Sequence, residues 1–333
     1  MQAARPSLRE SAKTSASSPY GHFEGIQLRF LSQLKRSLHR QSLFHCLFLL
    51  LLGVEASLLV RACADEGALR FVSVYAAILS FTGMSWAILN TYRKNSRRNY
   101  LNKLFERTFG ISGGHTQIKS RGPDHHISQA TNCYRLFNAL KGFEESTYSS
   151  FARLPFLGQY VDQFSRYLHG DDLFAMREIL LTRRVEEHRQ LVIVEPTSLE
   201  VHTALAGSYV DLSQLYFQEQ MRHRSGPLHA YCLKHFHRSV SKATEEFRIL
   251  EVYAKDDPWV YMQLAYSYRD LKMPEKELKQ YERLFSLRPR DKEVAFTLGK
   301  LYFQHGHSAK GLATYERLLE LDSSLARSLI LHY

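Results

Sequence analysis

The sequence predicts an all-α protein, with an N-terminal transmembrane helical hairpin followed by an α-solenoid of stacked helical repeats. Three observations carry the prediction. Two apolar runs, 43–60 and 71–90, stand ten residues apart. The tetrapeptide Tyr281-Glu282-Arg283-Leu284 returns 34 residues later as Tyr315-Glu316-Arg317-Leu318. The net charge of +11 gathers beside the apolar runs and is absent from the repeats.

Residues 1–22 are polar and rich in Ser, Ala and Arg, a composition that buries too little apolar surface to order itself. From Phe23 to Arg40 basic residues alternate with apolar ones. This pattern fits either an amphipathic helix on a membrane surface or a basic lead-in to the next segment. Leu43–Val60 carries Glu55 as its one charge, and the slightly longer Phe71–Asn90 carries none. Each is long enough to cross a hydrocarbon core, the first only just. The first run starts too far in, and is followed too soon by a second, for a simple cleaved signal peptide. A buried helical hairpin in a soluble protein is the competing reading. Seven Lys/Arg precede the hairpin and six follow it between Arg93 and Arg107, whereas only Arg61 and Arg70 lie in the turn. That asymmetry puts both termini in the cytoplasm. Glu55 lies six residues from Arg61 and is expected to reach towards the outer interface. Gly53 with Ser57, and Gly83 with Ala87, are small pairs four apart that suit close helix packing within the hairpin or between copies.

Residues 92–127 form the juxtamembrane part. Tyr92–Phe109 reads as a basic helix near anionic headgroups, and Gly110–Asp124 as a glycine-containing linker. Ser112-Gly113-Gly114-His115 lacks the Lys-Ser/Thr that a phosphate loop requires. Partitioned along the chain, the charge is +5 over 1–42, −1 over 43–91, +7 over 92–123 and zero over 124–333. A neutral repeat region does not fit nucleic-acid binding. The four cysteines show no CxxC spacing, so neither a disulfide framework nor a zinc site is expected.

Residues 128–333 read as helical throughout. A helix is expected over 130–143, a break at Pro155 and a helix over 159–168. A further helix, capped by Asp171 or Asp172, runs to Val194 and is ended by Pro196. Then Leu205-Ala206 with Tyr209 foreshadows Leu264-Ala265 with Tyr268 and Leu298-Gly299 with Tyr302. In each set the three residues share one helix face, and the small member lets a second helix approach. Leu278, Tyr281, Leu284 and Phe285 form the matching face of a second helix. Lys272-Met273-Pro274 and His305-Gly306-His307 break the two hairpins. One hairpin cannot bury its face alone, so the units must stack. The spacing from Tyr209 to Tyr268 is longer than one period and shorter than two. The surplus falls around 218–227, as longer helices or an added loop.

These residues make the C-terminal part resemble the tetratricopeptide repeat family, most clearly over 258–291 and 292–325. Pro258 opens the first copy, Leu264-Ala265 and Tyr268 fill its first helix, and Pro289 closes it. Glu277 and Gly311 replace the family's Ala early in the second helix. The resemblance implies a protein or peptide partner held on the inner face by first-helix positions. Here those are Trp259, Met262, Tyr266 and Arg269, then Glu293, Phe296, Lys300 and Phe303, with Glu200, Thr203, Gly207, Val210 and Asp211 in the earlier copy. Aromatics with few charges suit apolar anchors of a bound segment. Met262-Tyr266 and Phe296-Lys300 do not match the family's carboxylate clamp, so chaperone tails are not implied. The competing reading packs these aromatics on neighbouring repeats.

His223, His229, Cys232, His235 and His237 cluster along a helix, but 229–235 turns too far for its ligands to converge on a metal. No catalytic motif of the GxSxG or HExxH kind occurs. The chain therefore reads as no enzyme, with no cofactor, no metal and no nucleic-acid partner. It reads as a membrane-anchored adaptor, its layout that of a bacterial inner-membrane assembly factor. The layout also resembles chlamydial inclusion membrane proteins, which implies a secreted effector that recruits a host protein. A membrane-bound enzyme with its site in 124–197 is the alternative from another class. The apolar ending Leu325, Leu329, Ile330, Leu331 and Tyr333 adds an expectation of self-association there.

Overall fold

A computed structural model describes residues 19–64, 71–109, 122–141, 143, 158–223 and 225–333. The expectations for 1–18, most of the hairpin turn, the linker after residue 109 and the Pro155 break lie outside the described residues. Among the described residues every regular element is an α-helix. The chain divides into two compact units, one of residues 1–120 and 134–180, the other of 121–133 and 181–333.

In the first unit α1 (Pro19–Ala64) and α2 (Val72–Phe109) pair as a long hairpin. Both outrun the apolar stretches. At 1.5 Å per residue, the 46 residues of α1 extend about 70 Å. The basic segment before residue 43 is thus part of α1 and does not lie apart as a surface helix. Its Phe30, Leu34 and Leu38 are fully buried, as is Leu101 of α2, and Leu104 and Phe105 are nearly so. Across the apolar stretch Thr82 Oγ1 donates to Glu55 Oε1 at 2.9 Å. Glu55 therefore turns to its partner helix and does not reach for the interface: the Thr82 hydroxyl holds one of its oxygens, and the other is buried without a hydrogen bond among the described residues. The small pairs do not draw the helices together either: a Cβ on Gly53 or Gly83 would meet nothing within 4 Å. The large side chains of the two runs point outward, Leu50 68% and Phe81 74% exposed.

The same unit holds the C-terminal end of α3 (Pro123–Ala139) and the N-terminal half of α4 (Gly158–Val194). Leu136, Leu140, Leu173, Met176 and Leu180 are buried there. No cap forms at Asp171 or Asp172, and α4 runs straight through them. Asp172 instead accepts from Arg97 at 3.0 Å, and buried Glu178 lies 3.1 Å from Arg98. A carboxylate paired with a guanidinium has no need of a helix terminus.

In the second unit the first residues of α3 carry His126, whose Nδ1 lies 2.6 Å from Glu187 Oε2, with Arg183 Nη2 2.6 Å from the other oxygen. All the later helices belong here: α5 (Leu199–Arg222), α6 (Pro227–Tyr253), α7 (Pro258–Asp270), α8 (Pro274–Leu287), α9 (Lys292–Gln304), α10 (Ser308–Leu321) and α11 (Ser323–Ile330). The surplus beyond one period lengthens α5 and α6 to 24 and 27 residues, against 13 or 14 in the four helices that follow.

The repeat period extends to the backbone. Asp257 and Asp291 cap α7 and α9 by accepting the amides of Trp259 and Glu293. Lys272 and Gly306 both take positive φ, 56° and 74°, in the turns that follow. The amides of Met273 and His307 then donate to the carbonyls of Tyr268 and Tyr302, closing each helix as a C-terminal cap does. Asp322 repeats the N-cap at α11, so the array continues into a further first helix.

Three apolar clusters stack along the array. Phe247, Val260, Leu264 and Tyr268 join α6 to α7. Tyr261, Leu278, Tyr281, Leu298 and Tyr302 join α7, α8 and α9. Ala295, Leu318, Ala326 and Leu329 join α9, α10 and α11. Each cluster draws on successive helices, the arrangement of an α-solenoid. Leu329 packs directly on Gly299, where a Cβ would come within 2.6 Å of its terminal methyl and push it aside.

Candidate functional site

The first-helix residues that the resemblance singles out fall into two groups. On α7, Tyr266 is 37% exposed between buried Ala265 and Ser267. The Arg269 guanidinium lies 5.0 Å over its ring, a cation–π contact that leaves both side chains at the surface. Met262 is half-buried and packs on the middle cluster. Trp259 is half-buried too, its ring edge-on to Phe247 at 5.6 Å. On α9, Glu293 is exposed and Lys300 half-buried.

Phe296 and Phe303 are placed differently. Both pack on the last cluster, which α11 completes. Phe303 fills the space above Gly311, where a Cβ would stand 2.3 Å from its ring, and Tyr333 meets it edge-on at 5.4 Å. His332 lies 6.3 Å from Phe296. Gly311 thus makes room for an aromatic from the preceding helix, which explains its departure from Ala. Leu329 is fully buried, while Leu331 and Tyr333 stay exposed at 85% and 71%. In the earlier copy Glu200 is exposed, Val210 packs on the first cluster and Asp211 pairs with Arg184.

Polar contacts fix the helices that carry these residues. Tyr302 Oη and Lys310 Nζ both donate to Glu282 Oε1, at 2.8 and 2.9 Å. Burial works against the Glu282 carboxylate, but these two bonds and the Lys310 charge hold it below the usual carboxylate range. Burial raises both Glu277 and Asp270, against the pull of Arg269. Further back, His202 donates to Glu246 at 2.6 Å and approaches the Pro196 carbonyl at 3.0 Å. Burial works against a charge on His202, but the two acceptors outweigh it and its pKa is raised.

The histidine-rich helix is less solvated than its composition predicts. Cys232 is fully buried, and the His235 ring lies against Tyr231 at 4.2 Å, tilted by 37°. Among the described residues no three His, Cys, Asp or Glu side chains are placed to hold a metal. His126 carries no signal in the sequence, where it falls at the end of the 92–127 juxtamembrane part. Its partners Arg183 and Glu187 lie far along the chain, on another helix, and no local pattern marks them.

Residues 260–291 match the tetratricopeptide repeat family. This stretch of the chain is a tetratricopeptide repeat. It holds α7 from Val260 onward with its Leu-small-Tyr set, the turn at Lys272 and all of α8. No curated protein matches the chain in sequence. Among solved structures the chain is similar to one described as MamA AMB-1 C2221, at 15% identity and a TM-score of 0.31, covering 55% of this chain and 99% of that one. A second, described as MamA MSR-1 C2, has 15% identity, a TM-score of 0.29, and coverage of 60% and 98%. A third is TTC0263, a thermophilic tetratricopeptide repeat protein of Thermus thermophilus, at 18% identity and a TM-score of 0.29, with coverage of 61% and 99%.

Proposed function

We propose that this chain is a membrane-anchored adaptor whose tetratricopeptide repeats bind a protein or peptide segment in the cytoplasm. In this reading 1–42 is a basic lead-in and 43–91 spans the membrane twice. Residues 92–127 form the juxtamembrane segment, and 128–333 form the helical repeat part. The observation that carries the binding role is the Tyr266–Arg269 pair. An aromatic ring and a guanidinium stand at the surface of the matched repeat, on a helix whose other face is locked in the core. Tyr and Arg together form the kind of anchor that dominates protein interfaces. Met262, Trp259 and Lys300 extend that surface, and Glu293 adds a charge at its edge.

The anchoring rests on two helices long and apolar enough to cross a membrane, with their large side chains turned outward. A hairpin of a water-soluble protein would hide Leu50, Val60, Phe81 and Met84, all of which are more than 60% exposed.

Topology is read by labelling single cysteines placed at 15, 66 and 330 in a background with Cys46, Cys63, Cys133 and Cys232 replaced by Ser. An impermeant thiol reagent outside the cell should label position 66 alone. Label at 15 or 330 but not both would place the ends on opposite sides and defeat the hairpin.

A further inference from the structure

We infer that the membrane-proximal end of the α1–α2 hairpin holds a binding site for a phospholipid headgroup that carries a phosphomonoester. The inference rests on the anchoring reading above. Between the two helices lies a half-open cavity of about 320 Å³. Arg36 and Arg40 line it from α1 and Arg107 from α2, with Gln33, Tyr100 and Thr108 between them. Leu104 lines it too, and the helices that frame it carry the buried residues Phe30, Leu34 and Leu101.

Three properties point to a phosphate. The three guanidinium groups converge on one space, and among the described residues no carboxylate lines it. None of the three forms an ion pair among the described residues, although Arg97 and Arg98 on α2 are both engaged by carboxylates. Guanidinium groups bind phosphate oxygens through paired N–H donors, and a dianionic monoester offers more such oxygens and more charge than a diester.

Position along the helix points to a lipid. Arg40 stands three residues before the apolar run and Arg36 seven, which is about 5 and 10 Å along the axis. The polar headgroup layer extends roughly 5–8 Å beyond the hydrocarbon on each side. Arg40 therefore lies at headgroup depth and Arg36 just outside it, while Arg107, 17 residues after the second apolar run, reaches the same cavity from further out. A cavity of this size is at the lower end of those that hold small ligands, and suits a headgroup better than a large soluble molecule.

The test uses full-length protein in detergent, titrated with phosphatidic acid, phosphatidylglycerol or phosphatidylcholine and read by native mass spectrometry. One phosphatidic acid should be retained about tenfold more strongly than phosphatidylglycerol. The triple variant Arg36→Gln/Arg40→Gln/Arg107→Gln should lose that preference. The equally neutralised Arg29→Gln/Lys35→Gln/Lys103→Gln, whose sites lie outside the cavity, should keep it. Arg40→Lys, which retains the charge but not the paired donors, should weaken it and guards against misfolding of the triple variant. Equal retention of the two acidic lipids would overturn the inference, as would equal loss in both triple variants. Displacement of the lipid by equimolar inorganic phosphate would also overturn it, making the site one for a soluble anion. Flotation of the same preparations with phosphatidylcholine vesicles separates the two readings. Protein that floats without showing a preference has lost the cavity site alone, whereas protein that never floats has lost the anchor.

Discussion

Tyr268→Ala should destabilise the repeats by about 3–5 kcal/mol, the cost of truncating a large aromatic in a packed core. Tyr268 is 6% exposed and sits among Ala206, Phe247, Leu250 and Leu264, where first and second helices of successive repeats meet. The Lys276 ammonium lies 5.6 Å over its ring and goes with it. Refilling the gap would need α6 and α7 to slide, and the Phe247–Trp259 contact holds them in register. That contact also supplies the readout. The chain has two tryptophans, so Trp86→Phe leaves Trp259 as the sole reporter of this junction. Its fluorescence should melt at a markedly lower temperature in Tyr268→Ala. Tyr266→Ala, two residues away on the solvent side, should shift the same melt by about 1 kcal/mol or less. Equal losses in the two variants would place Tyr266 in the core and remove it from any binding surface.

Acidification should weaken the second unit through His188, by about 2 kcal/mol between pH 7 and pH 5. His188 is 8% exposed, and its Nδ1 lies 2.7 Å from Ser208 Oγ. The Ser208 hydroxyl already donates to the Ala204 carbonyl, so the imidazole donates through Nδ1 and needs no second proton. Burial, and then the Arg184 charge, lower its pKa to about 4. A group whose folded pKa lies below its unfolded value of about 6.5 favours the folded state equally at all pH above 6.5. Below that the unfolded chain takes up a proton that the folded chain refuses, and stability falls until pH 4. His202 acts in the opposite sense. Its raised pKa adds stability below pH 6.5 that is lost as pH climbs through the folded value, so it offsets part of the acid loss. His188→Gln should therefore flatten the decline in Trp259 melting temperature between pH 7 and pH 5. An unchanged slope would assign the acid sensitivity elsewhere.

The parts of this fold that were legible in the sequence are those with a local period. The Leu-small-Tyr spacing locates α7 and α9, and the recurring Tyr-Glu-Arg-Leu locates α8 and α10, because each signal repeats within one helical hairpin. The apolar runs are legible because a continuous stretch needs no partner to be recognised. What escaped depends on distant partners. Asp172 looks like a cap until Arg97, 75 residues away, is seen to pair with it. Glu55 looks ready to reach water until Thr82 is found opposite. His126 looks like an ordinary juxtamembrane residue until Glu187 closes on it. On the candidate binding surface the sequence separates outward Tyr266 from inward Tyr268 by helical phase alone. It does not reveal that α11 and the residues after it cover Phe296 and Phe303, since that depends on how a short terminal helix docks. The arginine cavity escaped for the same reason: Arg36 and Arg107 belong to different helices and meet only when the hairpin closes.

The central claim is that the repeats capture a protein partner through the α7 face, and comparative capture tests it most directly. Full-length wild type, Tyr266→Ala and Phe296→Ala, each confirmed to melt normally, are isolated from membranes and the bound proteins quantified. The account predicts a discrete partner on the wild type whose retention falls about thirtyfold in Tyr266→Ala, the loss that follows from removing an interface anchor of about 2 kcal/mol. Phe296→Ala should lose less, because α11 already packs against that side chain. Undiminished capture by a normally folded Tyr266→Ala variant would contradict the account and move the binding surface off this face of the repeats.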